Sequence, residues 1–297
     1  MNAPIMADGT ATAQRFARLT AYYHAHVMQA DDFRCRHCAA CKSSYTSESG
    51  HFAEGQLNAP GTHYDLTVAG KPLRIVVVGQ ESGAGVAHLD MADRRAAIAH
   101  TAAEQRFVAE SGHKARTQHM KGITNVLRLL FGKGLGTDYA GELITLADGS
   151  QVHLLHCFAL VNYLLCSAHS TKRSKRGEST ATMRRNCNEH FRATLEILEP
   201  TVVIVEGKAI WPHVRRAFDD IVVVEEPIFR AKLGAREMFV ISFTHPSSMH
   251  PHNWGVNHNT IYLLNTVAPA IQRFRILCEG NSSTSVASAH LPHDNPR

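Results

Sequence analysis

The chain has 297 residues, 44% apolar and 19% charged, enough for a substantial core without help from disulfides or a metal. Its longest apolar stretch, 154–165, is shorter than the roughly 20 residues a bilayer crossing needs, and 1–12 lacks the basic-then-apolar order of an export leader. Membrane insertion and secretion are therefore not expected, a cytoplasmic protein is, and a net charge of +5 is too modest to indicate nucleic acid by itself.

A polar lead over 1–12 is expected to be disordered. Residues 13–30 carry Phe16, Leu19, Tyr23 and Val27 at helical spacing. A run of cysteines follows, then a Gly/Ser/Asn-rich loop over 43–61. The β-branched run 73–78 reads as a strand buried on both faces of a parallel sheet. It ends in Gly79-Gln80-Glu81-Ser82-Gly83, where glycine permits the sharp turn leaving a parallel strand. Helices are predicted over 90–109 and 123–131, and a hairpin joins 142–145 to 151–156 about Asp148-Gly149. Residues 182–198 read as a helix ending at Pro200. A second buried strand over 201–205 leads through Gly207 into a short helix ending near Phe218. Short strands over 221–224 and 239–243 and a helix over 259–275 complete the domain, and 278–297 reads as a disordered tail. Helices alternating with β-branched strands predict one α/β domain over 13–277, three layers deep around a central, mostly parallel sheet.

Two features carry chemistry by residue type alone. Seven cysteines without an export signal do not suggest a disulfide framework. Cys35, Cys38 and Cys41 form a double C-x2-C run, half of a metal site that needs partners from elsewhere. Lys172, Arg173, Lys175, Arg176, Arg184 and Arg185 are concentrated in a stretch whose single acid is Glu178. Such a strip is either a solvated loop or a binding face for phosphates.

In open α/β sheets ligands bind beyond the carboxyl ends of the strands, which directs attention to Gly79–Gly83 and to the loop beginning Thr244-His245-Pro246-Ser247-Ser248. Together these segments resemble the uracil-DNA glycosylase superfamily. Gly79-Gln80-Glu81-Ser82-Gly83 is similar to the family's first motif. Asn162 in LVNYLLC looks like its mid-chain asparagine, TVVIVEGKAI resembles its strand-Gly-x-Ala segment, and His245-Pro246-Ser247 is similar to its H-P-S motif. The order is the family's, over roughly 34–275. Cys35, Cys38, Cys166 and Cys187 also fit the layout of the iron–sulfur branch, which implies a [4Fe-4S] cluster. Zinc is the alternative occupant, and Cys41 the alternative to Cys35 or Cys38.

The resemblance implies a monofunctional glycosylase, expected as a monomer, acting on DNA, single strands included. Removing a base from deoxyribose requires stabilising a departing pyrimidine anion and a cationic sugar, with the nucleotide extracted from the stack. His245 is the implied donor to the pyrimidine carbonyl, Glu81 the carboxylate near the sugar, and Gln80 a contact to base or water. Asn162 is the implied reader of the pyrimidine's amide edge. Ser247 and Ser248, with Lys172, Arg173, Lys175 and Arg176, are the implied phosphate contacts. The family's stacking aromatic has no counterpart; Met120, in Met120-Lys121-Gly122 with His119 alongside, stands nearest. A non-catalytic nucleic-acid-binding member of the same fold and a small-molecule transferase with structural zinc are the competing expectations.

Overall fold

A computed structural model describes residues 4–29, 32–46, 50–81, 88–170 and 177–280. Seven strands form the central sheet: β1 (Ala59–Pro60), β2 (Ile75–Gly79), β3 (Phe158–Asn162), β4 (Val202–Glu206), β5 (Asp220–Glu225), β6 (Ile228–Leu233) and β7 (Arg236–Phe243). Their spatial order is β5-β6-β7-β4-β2-β3-β1. The four inner strands β7, β4, β2 and β3 run parallel, and the flanking pairings are antiparallel. The chain passes from β2 outward to β3, returns across β2 to β4, and goes on to β7. The direction of travel thus reverses between β2 and β4, the kind of crevice where such sheets bind ligands.

The helices are α1 (Gly9–His26), α2 (Cys38–Ser43), α3 (Met91–Glu104), α4 (Gln118–Leu130), α5 (Ala181–Leu198), α6 (Trp211–Val214) and α7 (Ala268–Gly280). Side chains alternate faces along a strand, so β2 sends Val76 and Val78 into one core with α1, α5 and α6. Ile75 and Val77 enter a second core with α3, α4 and α7. All four residues are fully buried, each contributing roughly 1.5–3 kcal/mol on transfer from water. Helices therefore cover both faces of a mixed, mainly parallel sheet. None of the described helices is long and apolar enough to cross a membrane.

Several expectations are corrected. Part of the lead is ordered: Ile5–Ala7 pairs antiparallel with Leu66–Val68, and Asp8 caps α1 by accepting from the Ala11 N–H at 2.8 Å. Within the supposed loop 43–61, Gly50–Glu54 forms an antiparallel ribbon with Cys166–Ser170. The closing helix is interrupted by a π turn, Leu263–Val267, just before Pro269, whose missing N–H removes one donor from the regular ladder. Cys278–Gly280, expected in the tail, belong to α7; the remainder of the expected tail, 281–297, lies outside the described residues. Strand β6 was not predicted, although Gly234 (φ +59°) in the two-residue turn joining it to β7 is a hairpin signal. The hairpin forms, Leu143–Thr145 pairing with Gln151–His153, but its second strand stops short of the expected 156 because Leu154–His156 makes a 3-10 turn.

Candidate functional site

The carboxyl ends of the inner strands bring separate segments to one rim. Gly79 pairs in register with Asn162 on β3, Val78 with Val205 on β4, and Glu206 with Phe243 on β7. Across the rim the order is His245, Glu206, Gln80–Glu81, Asn162. At about 4.8 Å per strand, the outermost backbones are roughly 14 Å apart.

His245 follows β7 in a loop fixed from below. The fully buried Trp254 donates its indole N–H to the Thr244 carbonyl at 2.7 Å. The Ser247 N–H donates to His245 Nδ1 at 3.1 Å, which leaves the proton of the neutral ring on Nε2. His245 is exposed, yet protein surrounds it closely enough that burial holds its imidazole below the ordinary histidine range. Glu206 opposes that shift and His119 reinforces it.

His119 and Glu206 were not among the expected site residues. Thr117 caps α4, its hydroxyl accepting from the Met120 N–H, and places His119 in the first turn. His119 Nε2 lies 2.6 Å from Glu206 Oε2, with side-chain exposures of 30% and 0%. Its ring stacks on His245 at 5.6 Å between centroids and 12° between planes. Burial lowers the His119 pKa, but the Glu206 charge and hydrogen bond outweigh it and the net direction is upward. Glu206 Oε1 is buried without a hydrogen-bond partner. Met120 itself packs in the core at 8% exposure, so the ring meeting His245 belongs to its neighbour.

Two glycines allow this approach. A β-carbon on Gly122 would meet Pro246 at 2.7 Å, and one on Gly255 would collide with the Gln118 carbonyl. Because the second obstacle is backbone, Gly255→Ala is expected to cost about 1–3 kcal/mol and to displace the start of α4. Urea denaturation checks the stability, and a denaturation midpoint equal to wild type would contradict the packing.

Gln80 and Glu81 are turned into the protein. The Gln80 amide donates to Glu81 Oε1 at 2.8 Å and to Ser179 Oγ at 3.0 Å, while Glu81 Oε2 accepts from the Ala168 N–H at 3.0 Å. Gly177 lies so close over Glu81 that a β-carbon there would strike the carboxylate. Burial raises the Glu81 pKa, against the lowering effect of these hydrogen bonds. Asn162 is 5% exposed. The Asn58 side chain holds its backbone by accepting from its N–H at 2.7 Å and donating to its carbonyl at 3.1 Å. No family model matches the chain, and no curated protein matches it.

Ser247 is exposed and Ser248 half-buried; the Ser248 N–H closes the loop on the His245 carbonyl at 2.9 Å. Ser82, Gly83, Lys172, Arg173, Lys175 and Arg176 lie outside the described residues.

Five of the cysteines gather around the start of the Cys166–Ser170 ribbon. Cys38 opens α2, Cys41 lies within it, Cys166 begins the ribbon and Cys187 sits on α5; all pack with Cys35 in one core. Cys166 hydrogen-bonds with Cys38, and this bond, with burial, raises its thiol far above the ordinary range. Burial pushes Cys187 up to about 12, with Cys41 and Cys35 adding to the shift. Cys38 donates to Glu54 Oε2 at 2.7 Å, and Cys35 lies 3.3 Å from His190 Nε2. Among the described residues no three Cys, His, Asp or Glu side chains form a group that could hold one metal ion. Cys157 is buried in a separate core, and Cys278 lies on α7.

Proposed function

We propose that this chain is a monofunctional DNA glycosylase-like hydrolase acting on uracil or another deaminated base, built on a uracil-DNA glycosylase-like fold. The observation that carries the reading is His245, fixed as an Nε2–H donor on the rim that also bears Asn162 and the Gln80–Glu81 turn. When the glycosidic C–N bond breaks, its electron pair moves into the pyrimidine and charge accumulates on a carbonyl oxygen. A fixed neutral donor there stabilises the leaving group without itself needing to ionise. Asn162 offers the paired donor and acceptor that match a pyrimidine amide edge. Water then forms the new C–O bond at the sugar and its proton neutralises the departing pyrimidine anion; Glu81 is the carboxylate that the resemblance assigns to this step, once it is released from Gln80 or Ala168. Met249, 75% exposed at the tip of the His245 loop, is an apolar group suited to wedge between bases, whereas Trp254 serves packing.

The thiol group suits a [4Fe-4S] cluster in its donor chemistry, with Cys38, Cys166, Cys187 and either Cys35 or Cys41 as ligands. Thiolates on separate irons need not converge as closely as the ligands of one zinc ion. When bound, the cluster supplies cross-links between α2, the ribbon and α5. Those cross-links would fix the segment that carries Lys172, Arg173, Lys175 and Arg176 for phosphate binding.

Incubation with single- and double-stranded oligonucleotides carrying uracil or hypoxanthine tests the activity. Alkali-labile abasic sites are expected from the wild type. The engagement of both Glu81 oxygens favours one second reading, a binding protein without catalysis, and retention of DNA without base release would select it. Visible sulfur-to-iron absorbance in anaerobically purified protein, weakened by Cys166→Ser or Cys187→Ser, is expected for the cluster; stoichiometric zinc without that absorbance would replace it.

A further inference from the structure

The pair formed by Glu206 and His119 has no part in the chemistry assigned above, yet it occupies the crevice between the two halves of the sheet. Glu206 is 1% exposed, and a carboxylate taken so far out of water stays ionised only beside a cation or strong donors. His119 is the partner the geometry gives it, at 2.6 Å from one oxygen. Its position in the first turn of α4 works against a positive ring, since the helix dipole favours anions there. The carboxylate, in direct contact, acts over a shorter distance and with a full charge. The His119 ring lies nearly parallel to that of His245, 5.6 Å away between centroids.

We infer that Glu206 and His119 are a positioning pair for His245, with the cationic ring of His119 holding its neighbour in place and barring it from acquiring a second positive charge. His245 thereby stays a neutral Nε2–H donor in conditions that would protonate an ordinary histidine. Two like charges at this separation repel. The Glu206 charge cancels part of that, so roughly one pH unit is the expected effect on His245. Among the described residues, the charged groups facing the two rings are Glu206 from β4 and, toward His119, Arg94 from α3; each ring also faces the other.

The inference rests on the glycosylase reading for its catalytic readout only. The experiment follows the imidazole nitrogens by NMR through a pH titration of the full-length protein, and the pH profile of base release alongside it. In wild type, His119 should remain protonated well above the ordinary histidine range while His245 titrates below it. His119→Gln removes the cation and leaves Glu206 to attract a proton. The His245 midpoint and the acid limb of the profile should then rise by about one unit, with kcat lowered more than KM is raised. Because that variant leaves a buried carboxylate unpaired and is at risk of misfolding, His119→Gln/Glu206→Gln is the second variant. It should return the His245 midpoint toward wild type, a reversal that a purely structural role would not produce. Equal His245 midpoints in wild type and His119→Gln overturn the inference, as does a His119 that is neutral at pH 7. A wild type that releases no base overturns the glycosylase reading instead, and the NMR titration still decides the role of the pair.

Discussion

His245→Ala is expected to slow base release by about a hundred- to a thousandfold, the usual cost of deleting one fixed donor to a developing anion. The residue is exposed, and its ring is held by one hydrogen bond from the Ser247 N–H and the stack on His119, so its loss should leave the melting temperature and the affinity for an uncleavable oligonucleotide nearly unchanged. The decrease should therefore appear in single-turnover kcat, with KM little altered. His245→Gln, which keeps a donor on a more flexible stem, should recover part of the rate. A variant as fast as wild type would remove His245 from the chemistry and leave the rim without an electrophile.

The largest expected effect on stability lies below the rim. Arg116 clamps Glu142 with both guanidinium ends, at 2.7 and 2.6 Å, and His153 Nε2 lies 2.9 Å from the same carboxylate. The three are 3%, 0% and 6% exposed. Arg116→Met leaves Glu142 buried beside a histidine that burial already holds below its ordinary pKa, a poor replacement cation. Breaking a buried pair from one side costs about 3–5 kcal/mol, or on the order of 10 °C in Tm for a domain of this size. Removing both charges in Arg116→Met/Glu142→Leu should recover most of the loss, because no uncompensated charge remains. Urea denaturation of both variants measures this, and a loss below about 1 kcal/mol for Arg116→Met would show the clamp to be dispensable. Thr117 caps α4 immediately after Arg116, so the single variant should also disturb His119.

The strands that hold the rim were readable because burial on both faces of a parallel sheet leaves uninterrupted β-branched runs, as in Ile75–Gly79 and Val202–Glu206. Strand β3 was not separated from the hairpin strand expected over 151–156, since the turn at Leu154–His156 and β3 share one hydrophobic signal. Glu206 was hidden in plain view within TVVIVEGKAI. An acid at the end of a buried strand is a signal, but its meaning depends on His119, distant in sequence and delivered by a helix cap. Met120 attracted attention by its distance from Gly122, whereas the helical turn points it into the core and its neighbour outward. The involvement of Gln80 and Glu81 with Ser179 and Ala168 likewise depends on ribbon pairing that local spacing does not encode.

The hydrogen bond from Ala168 to Glu81 has a consequence for how damage at one place is felt at another. Ala168 lies two residues beyond Cys166 on the same ribbon, so anything that loosens those sulfurs also slackens the tether on the turn after β2. Oxidative injury to the thiols should therefore blunt turnover before it unfolds the domain, making catalytic decline an early symptom and aggregation a late one.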